Sequence, residues 1–247
     1  MAHLSSTTTQ GPREYQEDVI AIHEFNLGDT KGILLVVMDG HRGTRTADYC
    51  AAKIGQYFAP SSGSRKDIRA GLFGLIKRLA TETRDLQSGT TFSAVCIVRN
   101  IATLAVLGDS PIVIVDRLGR VVIGPEHNIQ TNATERKAAV ARGGIYSRGY
   151  LWVPGSRHGL QMSRSLGDAY MEEVILRKPE ARRVSLGPNS LILVCSDGVL
   201  DPDHINSWER ISELVEVAKR DCSAEDLLSL VKTKGLEDNT SIILWKP

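Results

Sequence analysis

Acidic residues stand where the apolar runs of this chain begin or end. Asp39 follows Val36-Val37-Met38, Asp109 follows the run Leu104 to Gly108, and Asp197 follows Leu193-Val194-Cys195-Ser196. Asp238 comes just before the run that ends at Trp245, and Glu17 and Asp18 precede Val19 and Ile20. A single acid at a strand end is usually a cap or a turn residue. Several on one edge of a layered fold would repel one another and, left unpaired, would be protonated or would weaken the fold. Hard divalent cations relieve that repulsion, and an all-oxygen donor set selects Mg2+ or Mn2+ over Zn2+. Two such ions about 3.5–4 Å apart, bridged by a carboxylate and a water, form a device for hydrolysing phosphoesters. That chemistry also needs a cation for the phosphate and an acid for the leaving oxygen. Arg13 and His41 lie close in sequence to Asp18 and Asp39, although taken singly each reads as a solvated arginine and a turn histidine.

The elements that must position these groups are readable from periodicity. Glu17 to Phe25 and Lys31 to Met38 flank the turn signal Asn26-Leu27-Gly28-Asp29, which predicts an antiparallel hairpin that brings Glu17 and Asp18 near Asp39. The second of these runs is apolar throughout, as in a strand buried on both faces. Ala47, Cys50, Ala51, Ile54 and Phe58 recur at helical spacing, with Thr44 or Thr46 as candidate caps, and a second helix runs from about Lys66 to Asp85. Thr90–Val98, Ile101–Leu107, Pro111–Asp116 and Arg120–Ile123 then read as four strands of an antiparallel meander. A short helix over Thr134–Arg142 precedes surface loops and short strands over Ile145–His158. A buried strand, Leu191–Cys195, leads to two helices. The second starts at Ser223 with a capping-box pattern to Asp226, and Thr240–Trp245 closes the chain as a strand. Residues 1–10 are polar and read as a loose terminus. Blocks of strands and helices predict an α+β layered fold in one domain spanning 1–247.

Composition narrows the partners. Lys+Arg total 30 against 29 Asp+Glu, so no global field favours nucleic acid or an anionic membrane. Hydrophobic residues make up 42%, which supports a sizeable core. Cys50, Cys96, Cys195 and Cys222 are widely spaced without a CxxC pair, against a zinc site or disulfide framework. The N-terminus has no signal-peptide pattern, and no apolar run approaches the roughly 20 residues that span a bilayer. The expectation is a monomeric cytoplasmic protein.

Seven short motifs occur in one order: Arg13-Glu14-Tyr15-Gln16-Glu17-Asp18, Met38-Asp39-Gly40-His41-Arg42-Gly43, Gly89-Thr90-Thr91, Leu107-Gly108-Asp109-Ser110, Ser163-Arg164-Ser165-Leu166-Gly167-Asp168, Ser196-Asp197-Gly198-Val199-Leu200-Asp201 and Asp238-Asn239. Together they resemble the metal-dependent serine/threonine protein phosphatases of type 2C (PPM), over Gln10 to Trp245. The resemblance implies a four-layer α-β-β-α sandwich, two antiparallel sheets flanked by helices, with a metal centre at one end. It implies two Mg2+ or Mn2+ ions, with Asp39 as shared ligand, Asp197 and Asp238 on one ion, and Glu17 and the Gly40 carbonyl on the other. Asp18 would orient the metal-activated water, Arg13 would hold the phosphate and His41 would be the general acid. Asp109 and Asp201, with Asp197, match a weaker third metal site. The Ser163–Asp168 motif is expected to shape the core beside the site and to take no chemical step.

The departures are Gln16, a short loop after His41 and a poorly matching Ile145–His158, where substrate choice would lie. The chain ends just after its last strand, which leaves no room for an appended regulatory domain in this reading. The implied partners are phosphoserine and phosphothreonine proteins, with direct hydrolysis and no phospho-enzyme. A pseudophosphatase that keeps the fold as a binding module is the alternative, although such proteins lack a metal-ligating acid, and Asp39, Asp197 and Asp238 are all present. A metal-dependent nuclease would need a basic groove that the charge balance does not suggest.

Overall fold

Runs of Val, Ile and Leu with both faces apolar form the centre of the fold, because each such strand must be covered twice. A computed structural model describes residues 2–58, 60, 65–200 and 207–247. Its strands and helices in chain order begin with β1 (His3–Thr9), β2 (Val19–Leu27), β3 (Thr30–Met38), β4 (Gly40–His41), α1 (Arg45–Tyr57) and α2 (Arg65–Glu82). Next come β5 (Gly89–Thr90), β6 (Phe92–Val98), β7 (Ile101–Leu107), β8 (Ile112–Val115), β9 (Val121–Ile123) and α3 (Ala133–Ala141). The hairpin β10 (Ile145–Ser147) and β11 (Tyr150–Trp152) precedes β12 (Leu166–Gly167), β13 (Glu180–Ser185) and β14 (Leu191–Cys195). Helices α4 (Ser207–Ala218) and α5 (Ala224–Thr233) lead to β15 (Thr240–Lys246).

Two five-stranded antiparallel sheets result, in the orders β1-β15-β14-β8-β9 and β13-β7-β6-β3-β2. Alternation along the strands divides their side chains among three apolar layers. Leu35, Val37, Val95, Leu104 and Val106 of one sheet meet Ile112, Ile114, Ile192, Val194 and Ile243 of the other in the central layer. The opposite face of the first sheet, with Leu34, Val36, Met38, Ala94 and Cys96, packs on Ala47, Cys50, Ile54, Leu72 and Ile76 of α1 and α2. That of the second, with Val113, Leu191, Leu193, Ile242 and Leu244, packs on Ile211, Leu214, Leu227 and Leu228 of α4 and α5. This is the expected α-β-β-α sandwich.

The hairpin reading of β2 and β3 holds, with Val19 opposite Met38. The capping box at Ser223 and Asp226 is formed in both directions. Two expectations are corrected. The polar residues read as a loose terminus form β1, paired along His3–Thr9 with β15. Their serines and threonines lack an apolar alternation, but the apolar partner strand supplies the register. The meander is split: β6 pairs with β7 in one sheet and β8 with β9 in the other. Gly108 to Pro111 crosses between sheets instead of turning back, and Ser93 Oγ anchors the crossing by donating to Ser110 O at 2.6 Å.

Candidate metal centre and active site

The crossing and the strand ends bring the acids together at one end of the sandwich. Asp39 follows β3, and its backbone is pinned on both sides. Its N–H donates to Thr91 Oγ1 at 2.9 Å, and its carbonyl accepts from Thr91 N at 2.9 Å and Thr90 Oγ1 at 3.1 Å. Thr91 Oγ1 lies 2.7 Å from Ser110 Oγ, which ties the Gly89-Thr90-Thr91 stretch to the loop carrying Asp109. Gly40 is needed for close approach, since a Cβ there would collide with the Glu17 carbonyl.

The carboxylates lie within each other's field. Burial, followed by the charges of Asp197 and Asp18, holds the Asp39 carboxyl well above the usual carboxylate range. Asp18 is 6% exposed; burial, against the opposing hydroxyls of Ser196 and Ser241, pushes its pKa up to about 7, with Asp197 and Asp238 adding to the rise. Ser196 Oγ donates to Asp18 Oδ2 at 2.6 Å, while Asp18 Oδ1 is buried with no hydrogen-bond partner among the described residues. Asp238 is raised by burial and by Asp197, and is opposed by the Asn239 N–H and by Arg13. A set of mutually repelling acids with an orphaned buried oxygen is a donor set that fits a hard divalent cation.

Asn239 gathers the N-terminal loop onto this edge. Its Oδ1 accepts from Glu17 N at 2.8 Å, and its Nδ2 donates to Gln10 O at 2.7 Å and Tyr15 O at 2.9 Å. Arg13 pairs with Asp238, and Glu17 Oε1 accepts from Gly43 N. Asp109 is buried, accepts from Asn128 Nδ2 at 2.9 Å, and contributes to the fields at Asp39 and His41. Asp201 lies outside the described residues. Asp39, Asp18, Asp197, Asp238, Glu17, Arg13, Asp109 and His41 are thus linked by contact or by field at one edge.

His41 has a partner that sequence reasoning missed. Its Nε2 is 2.9 Å from each carboxylate oxygen of Asp168, a fully buried residue that also accepts from Ser165 Oγ at 2.5 Å. Burial alone would lower the imidazole, but the Asp168 charge and hydrogen bond, with Asp109 and Glu17, outweigh it and raise its pKa above the ordinary 6.5. Gly89 makes room for the pair, since a Cβ there would strike both Asp168 Oδ2 and His41 Nε2. The signal available was Asp168 itself, an acid in a motif with apolar neighbours that a buried position obliges to find a partner.

A different group has the tightest ligand-like spacing. Among the described residues, His127, Glu135 and Glu180 bring their ligand atoms within 4.8 Å of one another. Arg164 already neutralises them, its Nη2 lying 2.5 Å from Glu135 Oε1 and 2.7 Å from Glu180 Oε1. His127 Nε2 is 4.0 Å from Glu180, but burial and Arg164 push its pKa down to about 4, so the imidazole is neutral at pH 7 and no ion pair forms. This group is a structural cross-link between α3, β13 and the Ser163–Asp168 motif.

The profile of the Protein phosphatase 2C family matches residues 2–209. The chain belongs to this family. Probable protein phosphatase 2C 33 of Oryza sativa subsp. japonica is 29% identical over 240 residues, covering 85% of this chain and 52% of the relative. Probable protein phosphatase 2C 52 of the same plant is 24% identical over 245 residues, 96% of this chain and 49% of the relative. The chain therefore spans about half the length of the curated relatives it matches. A serine-threonine phosphatase 2C from Toxoplasma gondii superposes with a TM-score of 0.78 at 15% identity, over 98% of this chain and 94% of that one, which shows the shared fold. No helix among the described residues of this 2C-family chain is long and apolar enough to cross a membrane.

Proposed function

We propose that this chain is a metal-dependent protein serine/threonine phosphatase acting on phosphoserine and phosphothreonine side chains. The observation that carries the reading is the edge where burial, with the charges of neighbouring acids including Asp197, raises the pKa values of Asp39, Asp18 and Asp238. Asp39 would be shared by two Mg2+ or Mn2+ ions, with Asp197 and Asp238 on one, and Glu17 and the Gly40 carbonyl on the other. Asp109 and Asp201 would serve a weaker third site. When bound, the ions neutralise the acids, stabilise charge on the phosphoryl oxygens and lower the pKa of a water.

The chain's own residues supply the rest. Asp18, held by Ser196, accepts a hydrogen bond from the attacking water and orients it. Arg13 is on the rim, paired with Asp238, and turns its guanidinium to the substrate's phosphoryl oxygens. His41, held by Asp168, donates a proton to the departing serine or threonine oxygen. In this reading water attacks phosphorus directly, with no phospho-enzyme.

The test is hydrolysis of a phosphoserine peptide by the purified chain with Mn2+ or Mg2+. EDTA and Asp39→Asn should each abolish turnover. Activity that survives both, or Mn2+ binding without any turnover, overturns the reading; the second result would favour a pseudophosphatase.

A further inference from the structure

Arg42, next to His41, has φ +62, a left-handed backbone that disfavours any side chain with a Cβ and that glycine adopts without strain. The arginine is exposed, and its guanidinium is not adrift. Its Cζ lies 4.0 Å from the centroid of the Tyr170 ring, a cation–π stack. Tyr170 sits in the 3-10 turn Ala169–Met171, directly after the Asp168 that holds His41. The other approach to the same ring comes from the 145–158 segment, where His158 meets it edge-on at 6.4 Å between centroids. The Arg42 guanidinium is set against the Tyr170 ring, whereas Arg13 is paired with Asp238. Three segments thus converge to hold one strained cation in a fixed orientation beside the histidine.

A guanidinium set over an aromatic ring retains N–H donors that can receive a carboxylate or phosphate in a bidentate manner. Arg42 is exposed and adjoins His41 in the chain, so it is close to the residues that flank a phosphoserine presented to that histidine. We propose that Arg42 determines substrate specificity by pairing with an anionic side chain within two residues of the scissile phosphoserine. This deepens the phosphatase reading and rests on it. The shared chemistry is a carboxylate or a second phosphate.

The experiment compares three phosphoserine peptides that differ in one neighbouring residue: glutamate, a second phosphoserine or glutamine. Each is tested with the unaltered chain, Arg42→Gly and Arg42→Lys. The glycine variant suits the left-handed backbone, so it is expected to fold. The unaltered chain should favour the anionic peptides over the glutamine peptide by on the order of fivefold in kcat/KM, the difference lying in KM. Arg42→Gly should bring that ratio close to one, with Arg42→Lys between. Preference for both anionic peptides identifies a general anion, and preference for the doubly phosphorylated peptide alone identifies the second phosphate. An unchanged ratio in Arg42→Gly overturns the proposal. If no peptide is hydrolysed, the phosphatase reading fails separately, and fluorescence anisotropy with the same peptides decides: discrimination lost in Arg42→Gly supports Arg42, and equal binding by both proteins overturns it.

Discussion

His41 Nε2 lies 2.9 Å from both oxygens of Asp168, a fully buried carboxylate with Ser165 as its second donor. Such an acid fixes the ring orientation and tautomer of the histidine it holds. Asp168→Asn should lower kcat on a phosphoserine peptide by about 10- to 100-fold, within the range of a misplaced general acid. The loss should shrink with p-nitrophenyl phosphate, whose leaving group needs no proton. Steady-state kinetics on both substrates check this, and equal losses would point to a structural role alone.

Gly89 gives an independent route to the same pair. A Cβ at this position would strike Asp168 Oδ2 and His41 Nε2, so Gly89→Ala should separate them without removing either charge. Its kcat loss should resemble that of Asp168→Asn, and the double variant should lose little more, because both changes break one interaction. Additive losses would show that the two residues act separately.

The acid cluster has a pH signature in the metal-free protein. Asp18 has a folded pKa of about 7 against an ordinary 3.8, so the folded state holds its proton more tightly than the unfolded chain. Its contribution is present at low pH and lost as pH rises through 7. His127 works the other way: its pKa falls from 6.5 to about 4, so its contribution is lost as pH falls below 6.5. Urea midpoints in EDTA should therefore rise as pH drops from about 8 to 6.5 and flatten below that. Asp18→Asn should remove much of the upper slope. Mn2+ at 100 times its Kd should add about 2.7 kcal/mol at pH 8, an increment that Asp197→Asn should reduce sharply.

Arg164 holds Glu135 and Glu180 together beneath α3. Removing it leaves the largely buried Glu135 without its counter-charge, so Arg164→Ala should cost about 3–5 kcal/mol in urea unfolding. Titration calorimetry with Mn2+ should give the same stoichiometry for the folded variant as for the unaltered chain, because this cluster is a cross-link and not the metal centre.

Local signals announced much of the fold. The β2–β3 hairpin follows from one turn signal between two periodic runs, and α5 from its capping box. What escaped reading depended on partners far away in sequence. β1 is a strand because β15 is beside it, although Ser5, Ser6 and Thr7 to Thr9 carry no apolar alternation. The split after β7 escaped because a short glycine-containing loop looks the same whether it turns back or crosses between sheets. At the site, acids at strand ends were legible by position. The Asp168–His41 and Arg13–Asp238 pairs were not, since they join residues 127 and 225 positions apart.

β15 lies between β1 and β14, so the sheet containing both is continuous only once the last strand has inserted. Asp238 and Asn239 arrive with it, and Asn239 is what ties down Glu17, Gln10 and Tyr15. Asp238 therefore joins Asp18 and Asp39, which the β2–β3 hairpin brings near each other, only when this segment is in place. The repulsion that Asp238 adds is thus met by the same segment that brings Asn239 to hold the N-terminal loop.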